Sequence, residues 1–117
     1  MPQAVEWNKV KSEELGPGII RQYVNGGGTT LARFQLTKGS VVGLHHHINR
    51  QITNVLSGAL LFKMSGKEFV VGAGECLFIE PNEPHEVVTM EDAVVFDVFI
   101  PERADWNAGQ SNYFAKK

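Results

Sequence analysis

The sequence predicts an all-β fold, either a sandwich or a barrel. Glycine and other turn-forming residues recur at short intervals, and the runs between them are rich in valine, isoleucine, leucine, phenylalanine and threonine. Short strands at regular spacing between turn signals are typical of both architectures. No segment of helical length has a clean 3.6-residue period of apolar residues.

Turn signals divide the chain into successive strands. The first two flank the Gly26–Gly28 turn, and the next follows Lys38-Gly39. Ser65-Gly66 predicts a tight hairpin, because glycine accepts a positive φ, and a turn is expected at Pro81–Pro84. In order, the expected strands are Ile19–Asn25, Thr29–Leu36, Val41–His47, Gln51–Ser57, Leu60–Met64, Lys67–Val71, Cys76–Ile79, His85–Thr89 and Ala93–Ile100.

The length of 117 residues suits one domain. We expect it to span residues 1–117, with a barrel core over about 19–100 and a C-terminal tail over 101–117. Both less regular ends carry a tryptophan, Trp7 and Trp106, so we expect both ends to pack against the rest of the protein.

Composition argues against several classes of protein. A net charge of −2 with dispersed basic residues does not suggest a nucleic-acid surface. The single cysteine, Cys76, cannot form an intrachain disulfide. No apolar run approaches the roughly 18–20 residues that span a bilayer, and the charged N-terminal segment does not resemble a signal peptide. We expect a cytoplasmic protein without a membrane or nucleic-acid partner.

The four histidines fall in two short segments, as His45-His46-His47 and as His85. Alternate residues of a strand share a face, so His45 and His47 point one way and His46 the other. Gln51 has the same parity as the first pair. Three imidazoles and one amide oxygen can therefore converge inside a barrel on an open metal site. In the competing interpretations, the histidines are hydrogen-bonded core residues and Gln51 is a hydrogen-bonding residue beside an empty site.

Two segments resemble the motifs of the cupin family. Residues 39–58 match the first motif in every spacing, with Gln51 in the place of its usual glutamate. Residues 74–85 resemble the second motif with departures at Glu80, Asn82 and, just beyond, Thr89, where proline, glycine and asparagine are usual. Asn82 is a mild departure, because asparagine tolerates left-handed backbone. The resemblance implies a jelly-roll barrel, the cupin double-stranded β-helix.

The expected cofactor is one divalent metal ion, held by His45, His47, Gln51 and His85. Zinc, nickel, manganese and iron(II) are all compatible with this set. A glutamine ligand leaves the full double charge on the ion, which favours Lewis-acid chemistry. It also departs from the two-histidine-one-carboxylate triad of non-haem iron oxygenases, which disfavours oxygen chemistry.

The last strand contains a second candidate cluster. Its even positions are all apolar, whereas its odd face carries Asp97 and Phe99, and Arg103 follows. A carboxylate in an apolar strand is costly unless it is paired or functional. One interpretation makes Asp97 a general acid or base, Phe99 a wall for a ring and Arg103 a carboxylate clamp. The other is an Asp97–Arg103 ion pair with Phe99 in the core.

The combined pattern is similar to the KdgF-type uronate cyclases, a small cupin group of pectin breakdown. The metal-binding pattern of that group matches His45, His47, Gln51 and His85, and its Asp-x-Phe-x-Pro-x-Arg pattern matches residues 97–103. The resemblance implies conversion of a 4,5-unsaturated uronate to its linear keto form, with the metal and Arg103 orienting the sugar acid and Asp97 carrying a proton. Arg50 departs from the pattern, because an acidic residue is usual before the glutamine.

Two other functions are compatible with the sequence: a small-molecule dioxygenase, and a sensor or binding module without catalysis. The apolar even-numbered face of the last strand also predicts association. That face could be covered by the N-terminal segment, by the aromatic tail (Trp106, Tyr113, Phe114), or by a second copy in a homodimer.

Overall fold

A computed structural model of the protein describes residues 3–109, which form eight strands and one short α-helix. The strands are β1 (Glu13–Gly16), β2 (Ile19–Gly26), β3 (Thr29–Leu36), β4 (Val41–His45), β5 (Arg50–Met64), β6 (Lys67–Gly72), β7 (Cys76–Ile79) and β8 (His85–Ile100); the helix is α1 (Ala104–Asn107). The prediction of an all-β fold is confirmed. Within residues 3–109, no helix is long and apolar enough to cross a membrane.

Two long strands organise the jelly roll. Strands β5 and β8 pair antiparallel from Arg50 opposite Ile100 to Lys63 opposite Glu86. The beginning of β5 also pairs with β7 and its end with β6, whereas the beginning of β8 pairs with β4 and its end with β3. Strands β2 and β1 extend the sheet beyond β3. Each long strand therefore belongs to both halves of the barrel.

The prediction of a strand break at Ser57-Gly58 was wrong. Strand β5 continues through Gly58, which has a φ of 82°. The pairing with β8 shifts register between Val55 and Leu60, as expected of a β-bulge. Across this region the buried positions of β5 change from odd numbers before the bulge to even numbers after it. The chain therefore bends at Gly58 without ending the strand.

Other strand bounds also differ from the prediction. Strand β8 continues through the expected gap between Thr89 and Ala93, with residues 90–92 exposed where it passes the bulge. Strand β4 ends at His45 rather than His47. The sheet begins at β1, ahead of the expected core boundary at residue 19. The sequence did not predict β1, because its four residues show no alternation of apolar and polar side chains. The hairpin at Ser65-Gly66 is confirmed, with φ values of 54° and 69°.

Both described ends pack, as expected, but on different surfaces. The ring of Trp7 lies 5.6 Å from that of Phe96 on the outer, even-numbered face of β8. Trp106 is buried and contacts Phe34 and Phe99, which belong to the buried core. Of the alternative covers for the outer face, Trp106 is therefore excluded. Tyr113 and Phe114 lie outside the described residues.

Gly58 should be the least replaceable glycine at a positive φ. A Cβ atom there would lie 2.2 Å from the carbonyl oxygen of Asp92, so Gly58→Ala should destabilise the protein by several kcal/mol, about 3 or more. The matched control is Gly66→Ala, which also has a positive φ but open space around it and should cost about 1–2 kcal/mol. Denaturant unfolding of both variants measures the difference, and equal losses would contradict the proposed clash.

Candidate metal and substrate site

Three histidines converge at one end of the barrel. His45 ends β4 directly opposite His85, the first residue of β8, and His47 lies in the turn after β4. One ligand atom from each of the three lies within 4.8 Å of the others, close enough to hold one metal ion. His46 is exposed, which confirms that it points away.

Backbone carbonyls fix the orientation of all three imidazoles. The Nδ1 atoms of His45, His47 and His85 lie 2.8, 3.0 and 2.8 Å from the carbonyl oxygens of Gly43, Asn49 and Glu83, respectively. A carbonyl oxygen can only accept, so each Nδ1 carries the proton. In neutral imidazole the lone pair then lies on Nε2, the state that a metal requires.

The surroundings keep these imidazoles neutral. Burial, followed by the charge of His85, lowers the pKa of His45 to about 3. Burial, followed by the charge of Arg103, lowers the pKa of His47 to about 4. Burial also lowers the pKa of His85. At neutral pH all three rings are therefore uncharged donors of lone pairs.

Gln51 faces this cluster with its amide oxygen. The inward position of Gln51 on β5 brings Oε1 to 3.0 Å from Nε2 of His47, while its Nε2 donates to Oγ1 of Thr53 at 2.9 Å. Because the proton of His47 lies on Nδ1, Nε2 and Oε1 are two acceptors in contact. A cation beside both atoms satisfies such a pair, so the donor set fits a divalent metal ion. If Gln51 were only a hydrogen-bonding residue beside an empty site, no proton would lie between its Oε1 and Nε2 of His47.

Asp97 lies on the same side of the barrel, opposite Thr53 in the pairing of β5 with β8. It is buried, and its Oδ1 has no hydrogen-bond partner within residues 3–109. Burial raises the pKa of Asp97 to about 7, against the opposing effects of the Thr53 hydroxyl and the Arg103 charge. This carboxyl can therefore gain or lose a proton near neutral pH.

Arg103 is buried beside aromatic rings. Its Cζ lies 4.7 Å from the ring centroid of Phe99 and 4.3 Å from that of Trp106. Its Nε and Nη2 donate to both carboxylate oxygens of Asp105, at 2.9 and 2.7 Å. The alternative of an Asp97–Arg103 ion pair is therefore not what the structure contains; Arg103 pairs with Asp105. Burial raises the pKa of Asp105, but the hydrogen bonds and the charge of Arg103 lower it by more, so the pKa is lowered overall.

One cavity joins these groups. Its lining includes the polar side chains of His45, Gln51, Thr53, His85, Asp97 and Arg103, together with Phe99 and Trp106. His47 completes the histidine cluster beside it. All seven residues that the sequence predicted for the site thus lie together.

The sequence did not predict that Thr53, Asp105 and Trp106 belong to the site. Thr53 shares the parity of Gln51, a signal that would have found it. Asp105 and Trp106 follow the last strand, where no periodicity predicts which way they point.

Two residues that depart from the motif pattern, Arg50 and Glu80, contact each other. Arg50 and Glu80 form an exposed ion pair, with Nη2 and Oε1 2.8 Å apart. Asn82 has a φ of 63°, as its tolerance of left-handed backbone predicted, and its N–H donates to the carbonyl of His47. The backbone bond from Asn82 ties this turn to His47.

Comparison with known proteins gives consistent results. Residues 32–99 match the family model of the cupin domain. The chain is 32% identical over 97 residues to the pectin degradation protein KdgF of Dickeya dadantii, covering 80% of this chain and 88% of that protein. It is 29% identical over 75 residues to an oxalate-binding protein of Thermotoga maritima, covering 63% and 62%. The solved structure of KdgF from Halomonas sp. superposes with a TM-score of 0.83 at 23% identity, covering 91% and 99%.

Asp97 should make folding stability depend on pH. Its pKa is about 7 in the folded protein and near 3.8 when unfolded, so the folded state holds the proton more tightly and loses stability as pH rises through that window. In metal-free protein, Asp97→Asn should therefore be stabilising at pH 8, by up to about 4 kcal/mol, with little effect near pH 4.

Denaturant unfolding at both pH values measures this difference. The control is Glu91→Gln, a change at an exposed acid on the same strand, which should leave the stability unchanged at both pH values. A gain from Asp97→Asn that is equal at pH 4 and pH 8 would exclude the ionisation of Asp97 as its cause.

Proposed function

This chain belongs to the cupin family, and from that premise we propose that it is a metal-dependent enzyme that acts on a small unsaturated uronate. The observation that carries the proposal is one cavity lined by two of the three neutral imidazoles, with the third beside it, by a carboxyl with a pKa near neutrality and by a buried guanidinium. The similarity to a pectin degradation protein supports the substrate class.

The metal would be held by His45, His47, Gln51 and His85. The three Nε2 atoms and the amide oxygen carry no charge, so the ion would keep its double positive charge. When bound, a divalent ion supplies Lewis-acid polarisation and an anchor for substrate oxygen atoms. Zinc, nickel, manganese and iron(II) all fit this donor set.

Arg103 would bind the carboxylate of the sugar acid. Its bidentate contact with Asp105 and its packing on Phe99 and Trp106 hold the guanidinium in one orientation. Phe99, which lies in T-shaped contact with His47, would form a wall for the sugar ring. A planar, fixed guanidinium suits a carboxylate better than a mobile ammonium does.

Asp97 would carry the proton. Ring opening of a 4,5-unsaturated uronate is an isomerisation: the anomeric hydroxyl loses its proton, the bond from the anomeric carbon to the ring oxygen breaks, and C4 of the released enol gains a proton. The products are an aldehyde at C1 and a ketone at C5, with no atom gained or lost. A buried carboxyl with a pKa of about 7 can both accept and release that proton.

Substitution of Asp97 tests this role. Asp97→Asn should reduce turnover of an unsaturated monouronate at least about 100-fold, because the amide cannot carry the proton. Loss of absorbance of the conjugated enol ether follows the reaction, and elemental analysis should give the same metal content as the wild type. Asp92→Asn is the control; full activity in Asp97→Asn would rule out proton transfer by this residue.

Binding without catalysis is the second candidate function. The similarity to an oxalate-binding protein favours it, because oxalate is also a small carboxylate that a metal and Arg103 would hold. Thermal stabilisation by oxalate or a saturated uronate, with the ligand recovered unchanged and no turnover of unsaturated uronates, would favour this function over the enzyme.

We also propose that the protein forms a homodimer through the outer face of the sheet. Phe78, Ile52, Val98 and Leu31 are neighbours in register across β7, β5, β8 and β3, and Phe78 is 59% exposed. Trp7 packs at the neighbouring Phe96 position. A continuous apolar row of this kind is typical of an interface.

Light scattering during size-exclusion chromatography tests the association. The wild type should have the mass of two chains, and Phe78→Glu should have the mass of one, because a buried charge opposes association. Phe69→Glu, a change at a partly exposed phenylalanine of β6, is the control and should leave the mass unchanged. A monomeric wild type at high concentration would exclude this interface.

A further inference from the structure

Thr53 connects the candidate metal site to the candidate proton carrier. Its side chain is 1% exposed and lies between Gln51, two residues earlier on β5, and Asp97, its partner on β8. Gln51 donates to the Thr53 hydroxyl oxygen at 2.9 Å, and Thr53 lies directly opposite Asp97, where its hydroxyl lowers the pKa of the carboxyl. One hydroxyl therefore contacts both halves of the site.

The hydrogen-bond capacity of threonine gives this connection a direction. A hydroxyl has a single proton to donate and lone pairs to accept. The oxygen accepts from the amide nitrogen of Gln51, and this bond fixes which way the amide is turned. Oδ1 of Asp97 has no partner in the described part of the chain.

This direction has a consequence for each neighbour. The nitrogen of the Gln51 amide is held at Thr53, so its oxygen must face the imidazole of His47. An inverted amide would turn N–H groups toward a cation and prevent binding. On the other side, the Thr53 hydroxyl lies opposite the carboxyl of Asp97 and lowers its pKa.

We propose that Thr53 is a positioning residue that sets the amide of Gln51 for metal binding and orients the carboxyl of Asp97. The part of the inference that concerns Asp97, the catalytic half, rests on the proposed function. The part that concerns Gln51, the metal half, involves residues of this chain alone and is measured without substrate.

Zinc affinity tests the metal half. Thr53→Val keeps the shape of the side chain but removes the hydroxyl, and it should weaken Zn²⁺ binding about 10–100-fold in competition with a chromogenic chelator, as expected when a partner that orients a ligand is lost. Thr53→Ser keeps the hydroxyl and should bind within about threefold of the wild type. Thr89→Val is the matched control, because Thr89 is also buried and its hydroxyl pairs with that of Ser40, outside the lining of the cavity.

Each outcome decides the metal half. Weak binding confined to Thr53→Val supports it. Wild-type affinity in Thr53→Val, equal loss in Thr53→Ser, or equal loss in Thr89→Val would overturn it. If Thr53→Val does not fold, Thr53→Ala read against Thr53→Ser gives the same comparison without placing a methyl group against the amide and the carboxyl.

Kinetics with zinc held at saturation test the catalytic half. Thr53→Val should lower kcat for an unsaturated uronate at least about tenfold with little change in KM, because Asp97 loses its fixed orientation but Arg103 does not. Unchanged kcat would overturn this half. If the wild type turns over no uronate, the proposed function fails, whereas the zinc comparison still decides whether Thr53 positions Gln51.

Discussion

The antiparallel pairing of β5 with β8 is the constraint on which the site depends. It brings Gln51 opposite Phe99 and Thr53 opposite Asp97, so that groups separated by more than forty residues become neighbours on one inward face. Both strands are long, and each pairs with further strands on its outer side. The backbone ladder therefore holds the polar cluster in place, and the side chains do not need to supply the energy that brings them together.

Burial then sets the chemistry of the cluster. Removing imidazoles from water disfavours their charged form, while removing a carboxyl from water favours its protonated form. The same desolvation thus produces neutral metal donors in the three histidines and a carboxyl that titrates near pH 7 in Asp97. Arg103 is the buried permanent charge of the cavity. Its pairing with Asp105 and its contacts with two aromatic rings compensate for the loss of water.

Regular backbone made most of the site predictable. Alternation along a strand placed His45, His47 and Gln51 on one side and His46 on the other, and glycine spacing located the turns. The arrangement was right even though β4 ends at His45, because the turn that follows keeps His47 inward. The same logic failed at Gly58, where a glycine with a positive φ makes a bulge in a continuous strand and not a turn between two.

The order of residue types by itself determined the all-β class, the inward positions, and the seven residues that lie together at the site. Only the tertiary structure decided which polar groups are paired: Arg103 with Asp105, Arg50 with Glu80, and Gln51 with Thr53. The physical reason is that the side of a strand on which a side chain lies depends on the two-residue period of the backbone, and the alternation of residue types in the sequence shows that period. Hydrogen-bond partners and pKa values depend instead on distances and burial across strands that are far apart in the chain.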